Sequence, residues 1–207
     1  MYTHDHNIVT AGAALADAKR AFIFLHGRGA TAEDILSLSD HFDTTDTALM
    51  APQASNNSWY PYSFIAPVEQ NQPALDSALE IIKSLVTAAV NAGIPQNAIY
   101  FVGFSQGACL TLEYVTRNAA QYGGVVAFTG GLIGKDLNMK HYKGDFKKTP
   151  ILITTGDPDP HVPVSRVQVS AGLIKKMNAN VSLKIYPGRV HTISQKEIDL
   201  AKELILK

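Results

Sequence analysis

A chain of 207 residues is long enough for one domain with a sizeable hydrophobic core. Its 18 Lys and Arg residues balance its 18 Asp and Glu residues, so the charge favours neither a nucleic acid nor an anionic membrane as a partner. The longest apolar stretches have the length of a strand, which argues against a transmembrane helix and stable membrane insertion.

The cysteine content and the first residues indicate the compartment. The one cysteine, Cys109, excludes an internal disulfide and is compatible with a reducing cytoplasm. Residues 1–6 lack the basic-then-apolar pattern of a signal peptide. We therefore expect a soluble cytoplasmic protein that forms a single domain over residues 1–207.

Strands and helices alternate in the predicted secondary structure. In chain order the patterns predict a strand at 20–26, a helix at 31–39, a strand at 47–51, a loop at 53–72, a helix at 73–93, a strand at 98–102, a helix at 108–115, strands at 124–128 and 151–155, a helix at 165–178, a strand at 181–186 and a helix at 194–206. Thr31 with Asp34 has the spacing of a capping box, and Pro73 begins the clearest amphipathic helix. A loop as long as 53–72 more often carries functional residues than merely connects two elements.

This alternation predicts an α/β fold with a mostly parallel, doubly wound sheet and helices on both faces. Ligand sites on such sheets lie at the carboxyl ends of the strands. The residues that attract attention all follow a strand, and they are His26-Gly27-Arg28, Ser105, Asp157, Asp159 and His191. No insertion is long enough for a large cap domain, so we expect an open site.

The segment Gly103-Phe104-Ser105-Gln106-Gly107 joins a predicted strand to a predicted helix. In that order it is typical of a nucleophilic serine on a sharp, strained turn. We expect Gly103 and Gly107 to be glycines because larger residues would meet the Ser105 side chain. The alternative is an ordinary serine in a glycine-flanked turn.

A serine nucleophile needs a base, and the base needs an acid. Hydrolases on such sheets supply them in the order serine, acid, histidine. Of the three histidines after Ser105, His141 lies in a polar surface stretch and His161 directly follows the candidate acids, which leaves His191 as the predicted base. A structural histidine is the alternative for His191.

Two aspartates compete for the role of the acid. Asp159 lies well past the strand end, from where its carboxylate can turn back towards the base, while Asp157 is better placed to bond amides of its own turn. Two backbone N–H groups would form an oxyanion hole, that of Gln106 and one from the loop His26-Gly27-Arg28-Gly29. The Arg28 side chain is a candidate ligand for a substrate carboxylate or an exposed arginine on a loop.

Four segments together resemble the phospholipase/carboxylesterase family of α/β-hydrolases, which includes small bacterial carboxylesterases and acyl-protein thioesterases. They are His26-Gly27-Arg28-Gly29, residues 103–107, Gly156-Asp157-Pro158-Asp159-Pro160-His161-Val162-Pro163 and Gly188-Arg189-Val190-His191. The resemblance implies the α/β-hydrolase fold and a serine esterase with Ser105 as nucleophile, Asp159 as acid, His191 as base and the amides of Arg28 and Gln106 as oxyanion donors. It departs from the family where Arg28 replaces a hydrophobic residue and where Pro61 follows Tyr60.

The loop aromatics are candidates for substrate contact. All four could wall an acyl pocket or be core residues that pin the loop; we expect Trp59 and Tyr60 to contact substrate and Tyr62 and Phe64 to lie in the core. Exposed aromatics on this loop would also permit a homodimer.

The resulting hypothesis is a carboxylic ester hydrolase for small to medium esters, with a small-molecule ester as its partner. A thioesterase or lactone hydrolase on the same triad, and a non-catalytic small-molecule sensor, remain alternatives. We expect no cofactor, and no metal either, because His4 and His6 alone on a terminal segment make a poor site. Cys109 is expected to be a small buried thiol.

Overall fold

The computed structural model describes residues 3–206, so Met1, Tyr2 and Lys207, the ends of the predicted 1–207 domain, lie outside the described residues. Its centre is one sheet of seven strands. The strands are β1 Ile8–Gly12, β2 Arg20–Leu25, β3 Thr47–Pro52, β4 Ile99–Phe104, β5 Gly124–Phe128, β6 Pro150–Asp157 and β7 Asn180–Pro187.

Six α-helices connect or flank these strands in the described residues. They are α1 Ala32–Leu36, α2 Val68–Asn71, α3 Ala74–Asn91, α4 Gln106–Arg117, α5 Val164–Lys176 and α6 Gln195–Leu204. Thr31 caps α1 with the predicted capping box, in which the side chains of Thr31 and Asp34 each accept the other residue's N–H. A second capping box, between Ser194 and Glu197, begins α6.

The strand order across the sheet is β1-β3-β2-β4-β5-β6-β7. All neighbours from β3 to β7 are parallel, and only β1 runs antiparallel, against β3. The carboxyl ends of β2, β4, β6 and β7 therefore lie along the same edge of the sheet. The predicted strands and helices are confirmed, with shifts of a few residues at their ends.

The sequence prediction missed β1. Its only local signal is Ile8-Val9-Thr10, three β-branched residues in a row, and its partner Met50 opposite Thr10 is 40 positions away in the chain. The predicted loop 53–72 also contains the short helix α2.

Two hydrophobic clusters cover the two faces of the sheet because successive strand side chains point to opposite sides. In β2, Ala21, Ile23 and Leu25 belong to the cluster that includes α3, α4 and α5, whereas Phe22 and Phe24 belong to the cluster that includes α1 and α6. The predicted helices on both faces are thus confirmed.

Helix α4 packs unusually closely on the sheet, and two glycines make this approach feasible. A Cβ on Gly107 would lie 2.0 Å from the carbonyl oxygen of Leu25 in β2, and a Cβ on Gly103 would lie 2.5 Å from Thr111 Oγ1. The expected clash with the Ser105 side chain is therefore not the tightest contact at either position. The nearest atoms at both glycines belong to α4 and to the β2 strand end.

The N-terminal segment is held against the loop after β3 by a buried histidine. His4 accepts the N–H of Ser55 at Nδ1 (3.1 Å) and donates from Nε2 to the carbonyl of Trp59 (2.9 Å). These partners require the neutral imidazole. Burial accordingly lowers the pKa of His4.

His26, at the end of β2, is a second buried and neutral histidine. Its Nδ1 donates to the carbonyl of Gly27 (2.7 Å), and its Nε2 accepts the N–H of Ala54 (3.1 Å). Burial lowers the pKa of this imidazole as well. The bond with Gly27 fixes the ring within the loop after β2, and the bond with Ala54 joins that loop to the loop after β3, so His26 is a structural histidine.

No helix between residues 3 and 206 combines the length and the apolar character that crossing a membrane requires.

The glycine contacts predict opposite effects for two substitutions. We expect Gly107→Ala to destabilise the protein by about 1–3 kcal/mol or more, because α4 must move away from β2. Gly172→Ala is the matched control in α5, where an added Cβ meets no atom within 4 Å, and it should stabilise by about 0.5–1 kcal/mol. Denaturant unfolding of both variants measures this, and an unchanged Gly107→Ala would contradict the packing described.

The two neutral histidines predict a stability that depends on pH. The pKa values of His4 and His26 are lower in the folded state than the 6.5 of an exposed histidine, so their contribution is complete above pH 6.5 and declines as the pH falls below it. We expect the free energy of unfolding to drop between pH 7 and pH 5. The drop should be smaller in His4→Gln and unaltered in the control His141→Gln, whose histidine is exposed.

Candidate active site

The turn between β4 and α4 presents Ser105 at the carboxyl edge of the sheet. Ser105 is the N-cap of α4 and has φ 53° and ψ −115°, a backbone conformation that non-glycine residues rarely adopt. Its own N–H donates to the carbonyl of Phe128 at 3.0 Å, and its carbonyl accepts the N–H of Cys109 at 3.0 Å. The strained conformation is therefore fixed from both sides, by β5 and by the first turn of the helix.

Ser105, His191 and Asp159 form a continuous chain of hydrogen bonds. His191 Nε2 lies 2.8 Å from Ser105 Oγ, and His191 Nδ1 lies 2.8 Å from Asp159 Oδ2. The His191 side chain is 19% exposed and the Asp159 side chain is 0% exposed. The structure thus brings together the three side chains that the sequence singled out, from the ends of β4, β6 and β7.

The Asp159 carboxylate is held ionised by its partners. Burial would raise its pKa, but the hydrogen bond with His191 and those from the N–H groups of His161 and Val162 outweigh burial and lower it. Asp157, the competing acid, is the exposed last residue of β6, and its carbonyl accepts the N–H of Gly188. The geometry therefore favours Asp159 over Asp157 as the partner of His191.

The backbone amides of Gln106 and Arg28, the two expected oxyanion donors, have no acceptor among residues 3–206. The amide of Gly29, next to Arg28, donates to the carbonyl of Asn57 at 2.7 Å. Gln106 is the first residue of α4, where the N–H groups have no partner within the helix. Free amides next to a nucleophile are suited to bind an oxygen that gains negative charge.

The side chains of these same two residues converge on one carbonyl, that of Tyr60. It accepts from Arg28 Nη2 (2.8 Å), from Gln106 Nε2 (2.8 Å) and from Ser58 Oγ (3.0 Å). Gln106 Oε1 also accepts the N–H of Trp59 at 2.9 Å. The loop from Ser58 to Tyr60 thus braces both residues whose amides are free.

Arg28 donates three further hydrogen bonds to this loop. They go to Ser58 Oγ, to the carbonyl of Pro61 and to the carbonyl of Tyr62, at 2.9, 3.0 and 2.9 Å. We therefore interpret its side chain as a clamp on the loop, in place of the predicted contact with a substrate carboxylate.

A cavity of about 550 Å³ opens beside Ser105 and His191. Its walls also include Arg28, Tyr60, Pro61, Tyr62, Ser63, Phe64, Ile65, Gln106, Cys109, Pro160, His161, Val162 and Pro163. These side chains are mostly apolar or aromatic, and no aspartate or glutamate is among them. A neutral organic group fits such a lining.

The loop aromatics are arranged differently from the expectation. Trp59 is wholly buried and lies outside the cavity, where its indole N–H donates to the carbonyl of His26 at 2.9 Å, so the prediction that it contacts substrate is wrong. Tyr60 does line the cavity. Tyr62, expected in the core, is 58% exposed and lines the cavity, and the buried Phe64 lines it as well.

Two rings that sequence reasoning did not assign pack against His191. The Phe104 ring centroid lies 5.2 Å from that of His191, and the His161 ring meets it edge-on at 5.0 Å. Phe104 directly precedes Ser105, and His161 lies two residues after Asp159. This closeness in the chain is the feature of the sequence that could have predicted their position beside His191.

Cys109 is buried, as the sequence predicted, although it borders the cavity. Burial raises the pKa of its thiol to about 12, so the thiolate is scarce at neutral pH. Over residues 3–206, no three His, Cys, Asp or Glu side chains are grouped in a way that could hold a metal ion.

Several known proteins are similar to this chain over nearly its whole length. A crystal structure of a phospholipase/carboxylesterase from Dyadobacter fermentans is 60% identical, covers 100% of this chain and 99% of that one, and superposes with a TM-score of 0.98. Acyl-protein thioesterase 1 of Debaryomyces hansenii is 30% identical in an alignment of 220 positions that covers 95% of this chain and 94% of the relative.

A more distant structure shows the fold alone. The Bacillus cereus carboxylesterase is 18% identical over 95% of this chain and 91% of that one, with a TM-score of 0.75. The expected α/β-hydrolase fold is thereby confirmed. The sequence profile of the phospholipase/carboxylesterase family matches residues 5–207. The chain belongs to the phospholipase/carboxylesterase family.

Proposed function

We propose that this chain is a serine hydrolase of carboxylic esters, with Ser105 as nucleophile, His191 as general base and Asp159 as the acid that orients the base. The observation that carries the proposal is the unbroken chain of 2.8 Å hydrogen bonds from Asp159 through His191 to Ser105. Membership of a family with carboxylesterase relatives supports it.

In the acylation step, Ser105 Oγ attacks the ester carbonyl while His191 Nε2 takes the hydroxyl proton. Asp159 accepts the hydrogen bond from Nδ1–H, which fixes the tautomer that leaves Nε2 free as a base. The carbonyl oxygen becomes an oxyanion and binds the free N–H groups of Gln106 and Arg28. His191 then returns its proton to the departing alkoxide.

In the deacylation step, water replaces the alcohol and attacks the acyl group on Ser105. His191 accepts the proton of that water, and the second tetrahedral intermediate uses the same two amides. The Ser105 Oγ takes back the proton when the carboxylic acid leaves. The brace on the Tyr60 carbonyl holds both amides in place through both steps, because Arg28 and Gln106 each donate a side-chain hydrogen bond to it.

The cavity indicates the kind of substrate. Its apolar and aromatic walls suit an uncharged acyl or alcohol group of small to medium size. The 30% identity to an acyl-protein thioesterase favours thioesters as a second class of substrate, since the same chemistry cleaves both bonds.

The role of the serine predicts a large loss of activity. We expect Ser105→Ala to lower kcat/KM for p-nitrophenyl esters, and for the thioester with the same acyl group, by about 10³-fold or more. A fluorophosphonate should label the wild-type protein at Ser105 and leave the variant unlabelled. Activity that persists in Ser105→Ala would contradict the proposal, and the ratio of ester to thioester turnover ranks the two classes.

The two aspartates supply a matched pair of variants. Asp159→Asn replaces the group that holds the Nδ1–H tautomer and stabilises the imidazolium, so we expect kcat to fall by about 10⁴-fold. Asp157→Asn, on an exposed side chain two residues earlier, should change kcat by no more than about twofold. Steady-state kinetics with one ester measures kcat for both variants. An equal loss of kcat in both would argue against Asp159 as the acid.

A further inference from the structure

The segment that bears His191 is joined to the sheet by a buried arginine, Arg189, two residues before it. Its side chain is 8% exposed and Glu197, its ion-pair partner in α6, is 0% exposed, with Arg189 Nε 3.4 Å from Glu197 Oε2. Neither residue contacts the cavity or takes part in the proposed chemistry. A buried ion pair next to the base therefore calls for its own explanation.

The Arg189 guanidinium binds the backbone on both sides of His191. Nη1 donates to the carbonyl of Val190 at 2.9 Å and also to the carbonyl of Thr192. Nη2 donates to Thr129 Oγ1, at 2.5 Å, in the turn that follows β5. One side chain thus holds the residues before and after the base and fixes them to a neighbouring strand end.

Glu197 extends the same network to β6 and to the start of α6. Its Oε1 accepts the hydroxyl of Thr154 at 2.5 Å, and its Oε2 accepts the N–H and the hydroxyl of Ser194 at 2.9 and 2.7 Å. Thr154 also accepts the N–H of Thr129 at its carbonyl, 2.8 Å away. The network therefore closes between β5, β6 and α6.

Backbone packing adds a further contact on the same segment. A Cβ on Gly156, in β6, would lie 2.3 Å from the carbonyl oxygen of Arg189, so the segment rests directly on the strand that precedes Asp159. The same strand, β6, therefore positions both partners of the His191–Asp159 hydrogen bond.

We propose that Arg189 and Glu197 are positioning residues that set the His191 imidazole at hydrogen-bond distance from both Ser105 and Asp159. The inference rests on the proposed function for its effect on turnover, but the position of the imidazole is a property of the fold alone. Arg189 is suited to the task because a planar guanidinium reaches several acceptors in fixed directions, and a lysine in its place has one ammonium group.

The test compares Arg189→Met, Arg189→Lys and the double variant Arg189→Met/Glu197→Gln, in which no uncompensated charge is buried. Arg166→Met is the matched control, because Arg166 likewise donates three hydrogen bonds, to the carbonyls of Leu132, Gly134 and Lys135, in a loop that carries none of the three triad residues. All are assayed well below their unfolding temperatures, with p-nitrophenyl ester kinetics and with the proton resonance of His191 Nδ1–H.

We expect kcat to fall by about 10²-fold in Arg189→Met and in the double variant, with KM nearly unchanged and a smaller loss in Arg189→Lys. The Nδ1–H resonance should broaden or disappear in Arg189→Met and in the double variant, and change less in Arg189→Lys. We expect the same changes when each variant also carries Ser105→Ala. This second readout distinguishes the two proposals, since it needs no turnover. Normal kcat and a sharp resonance in the double variant, or the same changes in Arg166→Met, would overturn the assignment.

Discussion

The contact of α4 with the end of β2 is the constraint on which the site depends. Ser105 has a conformation that costs free energy, of the order of 1–3 kcal/mol for such backbone strain, and it persists only because the surroundings fix it. Gly107 brings the helix against the Leu25 carbonyl, and the bond from the Ser105 N–H to Phe128 ties the turn to β5. The serine hydroxyl is consequently presented at one place and in one direction.

The free amides of Arg28 and Gln106 depend on a second constraint, the conformation of the loop after β3. The carbonyl of Tyr60 accepts hydrogen bonds from the side chains of both Arg28 and Gln106. The first belongs to the loop after β2 and the second to α4, so a single acceptor fixes two elements relative to each other. His26 also joins the loops after β2 and β3, because its Nε2 accepts the N–H of Ala54.

Much of this arrangement could be predicted because it is local in the chain. The strained turn, its glycines and both capping boxes are patterns of five residues or fewer, and parallel alternation places Ser105, Asp159 and His191 at one edge. The directions of the side chains in the loop 53–72 could not be predicted, because no repeating pattern in the sequence fixes them. Trp59 was therefore expected at the pocket wall although it is buried, and neither alternative for Arg28, a substrate ligand or an exposed loop arginine, included its four loop acceptors.

Other features depend on contacts between distant segments. β1 is defined by its pairing with β3 and has little pattern of its own. The Arg189–Glu197 network requires the ends of β5 and β6 and the start of α6 to meet, which the spacing of residues in the chain does not specify. Such contacts become visible only when the sheet order is known.

The position of Trp59 has a practical consequence. It is the one tryptophan in the sequence, and its ring lies between two imidazoles, 4.9 Å from that of His26 and 5.5 Å from that of His4. Its N–H donates to the strand end that leads into the Arg28 loop. The tryptophan fluorescence of this protein, excited at wavelengths that tyrosine does not absorb, therefore comes from a single reporter near the Arg28 loop, and a movement of that loop or a change in the charge of either imidazole is readable without any added label.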